Sequence, residues 1–159
     1  MKKVLYVLHQ KTSVAGDVGN KFRERGYLEE IVRPPLGDKL PTDLSKYSAI
    51  VIFGGPMSVN DDDQFIKDEI KWMKKVIQSK IPFLGICLGA QILAKYLGCD
   101  VVKNENDLAE IGFYEIKPVG EGDHIFRNQN IFYQFHTEGF EVPQGCHLLA
   151  RGDVFKNQA

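Results

Sequence analysis

Ile81-Pro82-Phe83-Leu84-Gly85-Ile86-Cys87-Leu88-Gly89-Ala90-Gln91 runs from a short apolar segment into a helical pattern, with a cysteine between two glycines at the junction. A strand that turns sharply into a helix pushes the residue at the turn out of the backbone and into a cleft. Such a turn needs neighbours without side chains two positions away on either side, and Gly85 and Gly89 supply them. The pattern is the cysteine form of the Gly-x-Ser-x-Gly nucleophile elbow. A helix N-terminus favours the thiolate of a cysteine placed there. The backbone N–H of Leu88 points where an oxyanion would form. Free cysteine is commonly a buried core residue, but the strand, the glycine pair and the helix together favour a nucleophile. The expectation is a cysteine hydrolase or an acyl-transfer enzyme.

Outward from this turn, strand and helix patterns alternate. Residues 3–9 are rich in Val and Leu without alternation, as a strand buried in a parallel sheet should be. Residues 14–25 suit a helix ending at Gly26, and 28–33 a second strand closed by Pro34-Pro35. Residues 36–45 read as loop, and 47–53 as a third strand stopped by Gly54-Gly55-Pro56. Asp61-Asp62-Asp63 then opens a helix through about Ser79. Ile66, Ile70, Met73 and Ile77 recur along it at helical spacing, with Phe65, Trp72 and Val76 widening the stripe. Its acidic start and Lys74-Lys75 suit the helix dipole.

Residues 81–86 form the fourth strand. Residues 100–103 read as a short strand, and 109–119 and 130–135 as strands of a small antiparallel extension. The order predicts an α/β fold, an open, mostly parallel, doubly wound sheet with helices on both faces. Ligands of such sheets bind outside the carboxyl ends of the strands. His9, Gly54-Gly55 and Cys87 all lie at such ends.

The whole chain bounds the chemistry. Its 159 residues suit one domain over 1–159, and 43% hydrophobic with 26% charged residues is ordinary for a globular protein. A formal net charge of −1 advertises neither nucleic acid nor an anionic membrane as partner. Cys87, Cys99 and Cys146 make an odd count without framework spacing, which fits a reducing cytoplasm. The run Met1-Lys2-Lys3-Val4-Leu5-Tyr6-Val7-Leu8 is too short for a signal sequence and reads as the first strand. No window reaches membrane-spanning length.

Gly54-Gly55-Pro56-Met57-Ser58-Val59 follows a buried strand directly. Gly-Pro is a strong turn signal, yet two glycines also let backbone N–H groups approach a ligand, as an oxyanion hole requires. The cysteine at a nearby strand end favours the second reading. Gln91 lies one helical turn beyond Cys87 and could hydrogen-bond a polar substrate, although a helix residue there is usually solvent-facing. His9 reads as a satisfied structural histidine. No cluster has metal-ligand spacing, so neither metal nor cofactor is expected.

On these residues the chain resembles class I glutamine amidotransferase domains, in particular the glutaminase part of GMP synthase-like proteins. Their fold is flavodoxin-like. Gly54-Gly55-Pro56-Met57-Ser58-Val59 is similar to the family's oxyanion strand, and 82–91 to its nucleophile signature. Glu110-Ile111-Gly112-Phe113 and residues 143–159 also match. The resemblance implies glutamine hydrolysis through a cysteine thioester, with ammonia passed to a synthetase domain or subunit. It implies Cys87 as nucleophile, Gly55 and Leu88 as backbone oxyanion donors, and Gln91 as a contact to glutamine.

Gln134-Phe135-His136-Thr137-Glu138 looks like the late motif that completes the family's triad, with His136 as base and Glu138 as its orienter. The residues that follow it instead resemble an earlier family segment. His136 is therefore expected not to pair with Cys87, and the chain to end before its general base. An exposed sheet edge would follow, which a partner chain or a second copy could cover. Two alternatives stand beside this reading: a cysteine hydrolase of the DJ-1/PfpI type, and a catalytically impaired binding module.

Overall fold

The computed structural model describes residues 2–159; Met1, where the N-terminal run begins, lies outside them. The chain divides into two compact units, one ending at Tyr96 and the other running from Leu97 to Ala159. The first holds β1 (Lys3–Val7), α1 (Gly16–Glu24), β2 (Leu28–Val32), a 3-10 turn (Pro34–Leu36), β3 (Ala49–Ile52), α2 (Gln64–Ser79), β4 (Phe83–Gly85) and α3 (Leu88–Tyr96). Its four strands are all parallel, in the order β2-β1-β3-β4. The chain thus runs outward from β1 to β2, then returns to the other side of β1 for β3. Such a reversal opens a crevice between the carboxyl ends of β1 and β3.

Right-handed crossovers in opposite directions place helices on opposite faces. Val4, Tyr6, Ala49 and Val51 pack with Ala15, and Val18 and Phe22 of α1 lie against them. On the other face α3 sits so close to Ile52 that its Gly89 has no room for a Cβ. Residues 4–7 and all of β3 are buried, as their unbroken apolar runs require. Each such side chain contributes about 1.5–3 kcal/mol over its exposed state. The predicted doubly wound α/β sheet is therefore present.

The stripe on α2 differs from its expected composition. The helix buries Ile66, Glu69, Trp72, Met73 and Val76, while Ile77 is 44% exposed and Ile70 only half-buried. The inward row follows the spacing 66, 69, 73, 76, so Ile70 and Ile77 fall on its flank. Trp72 also donates Nε1–H to the Pro41 carbonyl at 2.7 Å, which ties the long loop before β3 to the helix. The expected dipole complement is not there. Asp63 is the N-cap without a side-chain cap bond, the first turn is free of acids, and the last turn is free of bases.

The second unit holds β5 (Val101–Lys103), β6 (Glu110–Glu115), β7 (Lys117–Pro118), the short helix α4 (Gly122–Ile125), β8 (Ile131–His136), β9 (Glu138–Phe140) and β10 (Ala150–Arg151). They form three antiparallel ladders, β6–β8, β5–β9 and β7–β10. The strand expected over 109–119 breaks at Ile116, whose N–H turns to the Asn130 carbonyl at 2.7 Å. The residues on either side then pair with different partners. The helix α4 and the strands β9 and β10 carried no local signal.

Candidate active site

Parallel pairing with β3 continues one residue past β4, where Ile86 N–H donates to the Ile52 carbonyl at 2.9 Å. Cys87 then takes φ +51°, in the left-handed region. A non-glycine residue there costs about 1–3 kcal/mol, and such strain gathers at functional sites. Helix α3 begins at once. Ala90 and Gln91 donate N–H to the Cys87 carbonyl at 2.9 and 3.0 Å. The thiol group is reduced and its residue is exposed. A Cβ on Gly85 would stand 2.8 Å from the Ala90 nitrogen, and one on Gly89 would overlap the Ile52 carbonyl. Gly85 is thus required by the turn itself, and Gly89 by the close approach of α3 to β3. Leu88, wholly buried, opens α3, where backbone N–H groups have no partner within the helix.

The end of β3 passes beside this turn. A Cβ on Gly54 would lie 3.2 Å from the Cys87 Cβ and 3.7 Å from its Sγ. Gly55 lies over His9, where a Cβ would be 2.8 Å from the His9 Cβ. His9 follows β1 and is 2% exposed. Its Nδ1 is 3.1 Å from the Gly54 carbonyl oxygen, and its Nε2 is 3.2 and 3.3 Å from the two carboxylate oxygens of Glu69. The histidine is satisfied on both sides. Glu69 escaped the sequence analysis. Its signal was a glutamate three residues after Ile66 and four before Met73, on the apolar row of α2.

Gln91 is 6% exposed, so the solvent-facing placement usual for such a residue does not hold. It stands one turn along α3 from Cys87. The first unit therefore brings Cys87, Gly54, Gly55, Leu88, Gln91, His9 and Glu69 to one end of its sheet.

His136 and Glu138 belong to the second unit, at the end of β8 and the start of β9. The His136 Nε2 is 2.9 Å from the Glu110 Oε2, and its Nδ1 is 3.1 Å from the Glu138 carbonyl oxygen. Glu138 thus meets the ring through its backbone carbonyl. Phe155 packs on the imidazole at 4.5 Å between centroids, and Gln158 donates to Glu110 at 2.7 Å. Glu110 is 1% exposed. The ladder β6–β8 sets this pairing, because it places Glu110 opposite His136.

Comparison with known proteins gives one family. The model described as "Glutamine amidotransferase class-I" matches residues 7–155. A glutamine-hydrolyzing GMP synthase of Flavobacterium psychrophilum is 35% identical over 122 residues, 74% of this chain and 23% of that protein. One subunit of the glutamine-hydrolyzing GMP synthase of Saccharolobus solfataricus is 31% identical over 120 residues, 74% of this chain and 61% of that protein. The chain thus spans less than two thirds of the length of either. A crystal structure of a glutamine amidotransferase from Thermotoga maritima superposes with a TM-score of 0.89 at 30% identity, covering 99% of this chain and 70% of that one. Another from Methylobacillus flagellatus gives 0.90 at 25% identity, over 99% and 64%. Among the described residues, no helix is long and apolar enough to cross a membrane.

Proposed function

The chain belongs to the class I glutamine amidotransferase family, and on that premise we propose that it cleaves the side-chain amide of glutamine at Cys87 and releases ammonia for an acceptor site. The Cys87 thiolate attacks the amide carbonyl carbon. A C–S bond forms, and the carbonyl π pair moves onto oxygen. The N–H groups of Leu88 and Gly55 stabilise that oxyanion, each such donor being worth about 10²–10³ in rate. Collapse expels the nitrogen, which takes up a proton and leaves as ammonia. The thioester then yields glutamate to water. Gln91, buried one turn along α3, holds the polar end of the substrate.

The observation that carries this reading is the left-handed Cys87 at the start of α3, with Gly54 packed beside its sulfur. His136 and Glu138 are left outside the catalytic group. The His136 ring has both nitrogens engaged by Glu110 and by the Glu138 backbone, so it has no site free for a thiol proton. The helix N-terminus at Cys87 favours the thiolate that attacks. The relative whose name describes it as one subunit of a synthase supports an acceptor on a separate chain. The setting proposed is cytoplasmic.

A glutamine analogue bearing a diazo ketone tests the reading. Intact-mass and peptide mapping should place one adduct on Cys87, suppressed by added glutamine. A chain that iodoacetamide alkylates at Cys87 but that never takes the analogue overturns it.

A further inference from the structure

Gly54 and Gly55 have no side chains with which to fix the peptide between them, and glycine backbone adopts either sign of φ at little steric cost. An oxyanion donor, by contrast, acts only when its direction is set before the reaction. The anchor comes from β1. The carbonyl oxygen of Gly54 accepts a hydrogen bond from the His9 Nδ1–H at 3.1 Å. In a trans peptide the C=O and N–H point opposite ways. Holding the Gly54 oxygen toward His9 therefore turns the Gly55 N–H away from it. A flip would leave the buried Nδ1–H without a partner.

Glu69 completes the anchor. The Nε2 of His9 lies 3.2 Å from one carboxylate oxygen, and both side chains are fully shielded from solvent. The ring faces a carbonyl on one side and a carboxylate on the other. The Gly54 carbonyl can only accept, so Nδ1 carries the hydrogen between them. A buried carboxylate is costly unless paired. Yet α2 places one in its apolar row, against the histidine that reaches the glycine loop. Gly55 admits the ring because it has no Cβ, which would stand 2.8 Å from the His9 Cβ.

We propose that His9, held by Glu69, is a positioning residue that locks the Gly54–Gly55 peptide with the Gly55 N–H directed to the oxyanion. Neither side chain touches substrate. The inference rests on the functional reading above, and the experiment separates the failure of one from the failure of the other. It compares two reactions of Cys87 in the full chain. The γ-aldehyde analogue of glutamine adds reversibly: a C–S bond forms, the carbonyl π pair moves to oxygen, and that oxygen takes up a proton. Iodoacetamide reacts by displacement, losing iodide without forming an oxyanion.

His9→Phe alone strands a buried carboxylate, so the double variant His9→Phe/Glu69→Met removes the anchor without that cost. It should weaken aldehyde binding about ten- to a hundredfold while the iodoacetamide rate stays within about twofold. The double variant His9→Asn/Glu69→Met keeps an N–H near the Nδ1 position and should regain most of the aldehyde affinity. Glu69→Gln should do the same, because its amide can donate to the Nε2 of a neutral ring. Unchanged aldehyde affinity in His9→Phe/Glu69→Met, or an equal fall in both reactions, overturns the positioning role. A wild-type chain that is alkylated but adds no aldehyde overturns the functional reading itself.

Discussion

The Cα of Gly89 packs directly on the Ile52 backbone, so that an added Cβ would overlap the carbonyl oxygen and stand 2.8 Å from its carbon. The obstacle is the backbone of a buried central strand, which has nowhere to move. Gly89→Ala should therefore cost about 2–3 kcal/mol or more. Gly26→Ala faces open space and meets only the strain of φ +76°, worth about 1–2 kcal/mol. Urea unfolding of both variants checks the difference. Equal losses would show that the close approach of α3 to β3 is not tightly packed.

Cys87 should be the first thiol modified. Cys146 is also exposed and Cys99 half-buried, so exposure alone does not favour Cys87 over Cys146. What distinguishes Cys87 is its place at the start of a helix, where the dipole favours thiolate. Iodoacetamide at neutral pH with peptide mapping measures the order. Faster labelling of Cys146 would remove the basis for a nucleophile at Cys87.

Glu110 should matter to stability more than to chemistry. Its buried carboxylate accepts from Gln158 and pairs with His136. Glu110→Ala leaves both without their partner and should destabilise by about 3 kcal/mol. Glu110→Gln keeps an acceptor and should lose less. Thermal melts of the two variants rank them, and the opposite ranking would mean that the carboxylate charge is a burden.

Glu30 supplies a pH dependence. The Tyr47 hydroxyl donates to its carboxylate at 2.5 Å, and Lys3 and Lys46 approach it at 3.0 Å. The hydrogen bond from Tyr47, with the two lysines, holds its pKa at about 2, below the ordinary 4.5. A carboxylate with a depressed pKa stabilises the fold above its unfolded value and loses that contribution as pH falls through the folded one. The stability gap between the wild type and Glu30→Gln should be full above pH 4.5 and close toward pH 2. Denaturant midpoints across that range test it. A gap that does not change with pH would mean that charge plays no part.

Some of this molecule is written locally. The buried strands β1 and β3 declare themselves as unbroken apolar runs, because both faces of a central strand are covered. Gly85 and Gly89 announce the turn at Cys87 because the steric demand of a strand-to-helix reversal falls on residues two positions away. The stripe on α2 was legible in kind but not in detail. Helical period alone does not say which of two adjacent rows, the one with Ile66 and Met73 or the one with Ile70 and Ile77, faces the sheet.

The amino-acid sequence alone determined the doubly wound α/β class, the helix that follows Cys87, and the glycine pair after β3. Each follows from spacing within a few residues. The tertiary structure alone decided what His9, Glu69, Glu110 and His136 do. His9 and Glu69 are 60 residues apart, and His136 finds Glu110 through the register of β6 and β8. The break at Ile116 and the ladders of β9 and β10 belong with them. Buried polar groups and strand edges take whichever complementary partner the fold brings within hydrogen-bond reach, and no local pattern encodes a partner that distant in the chain.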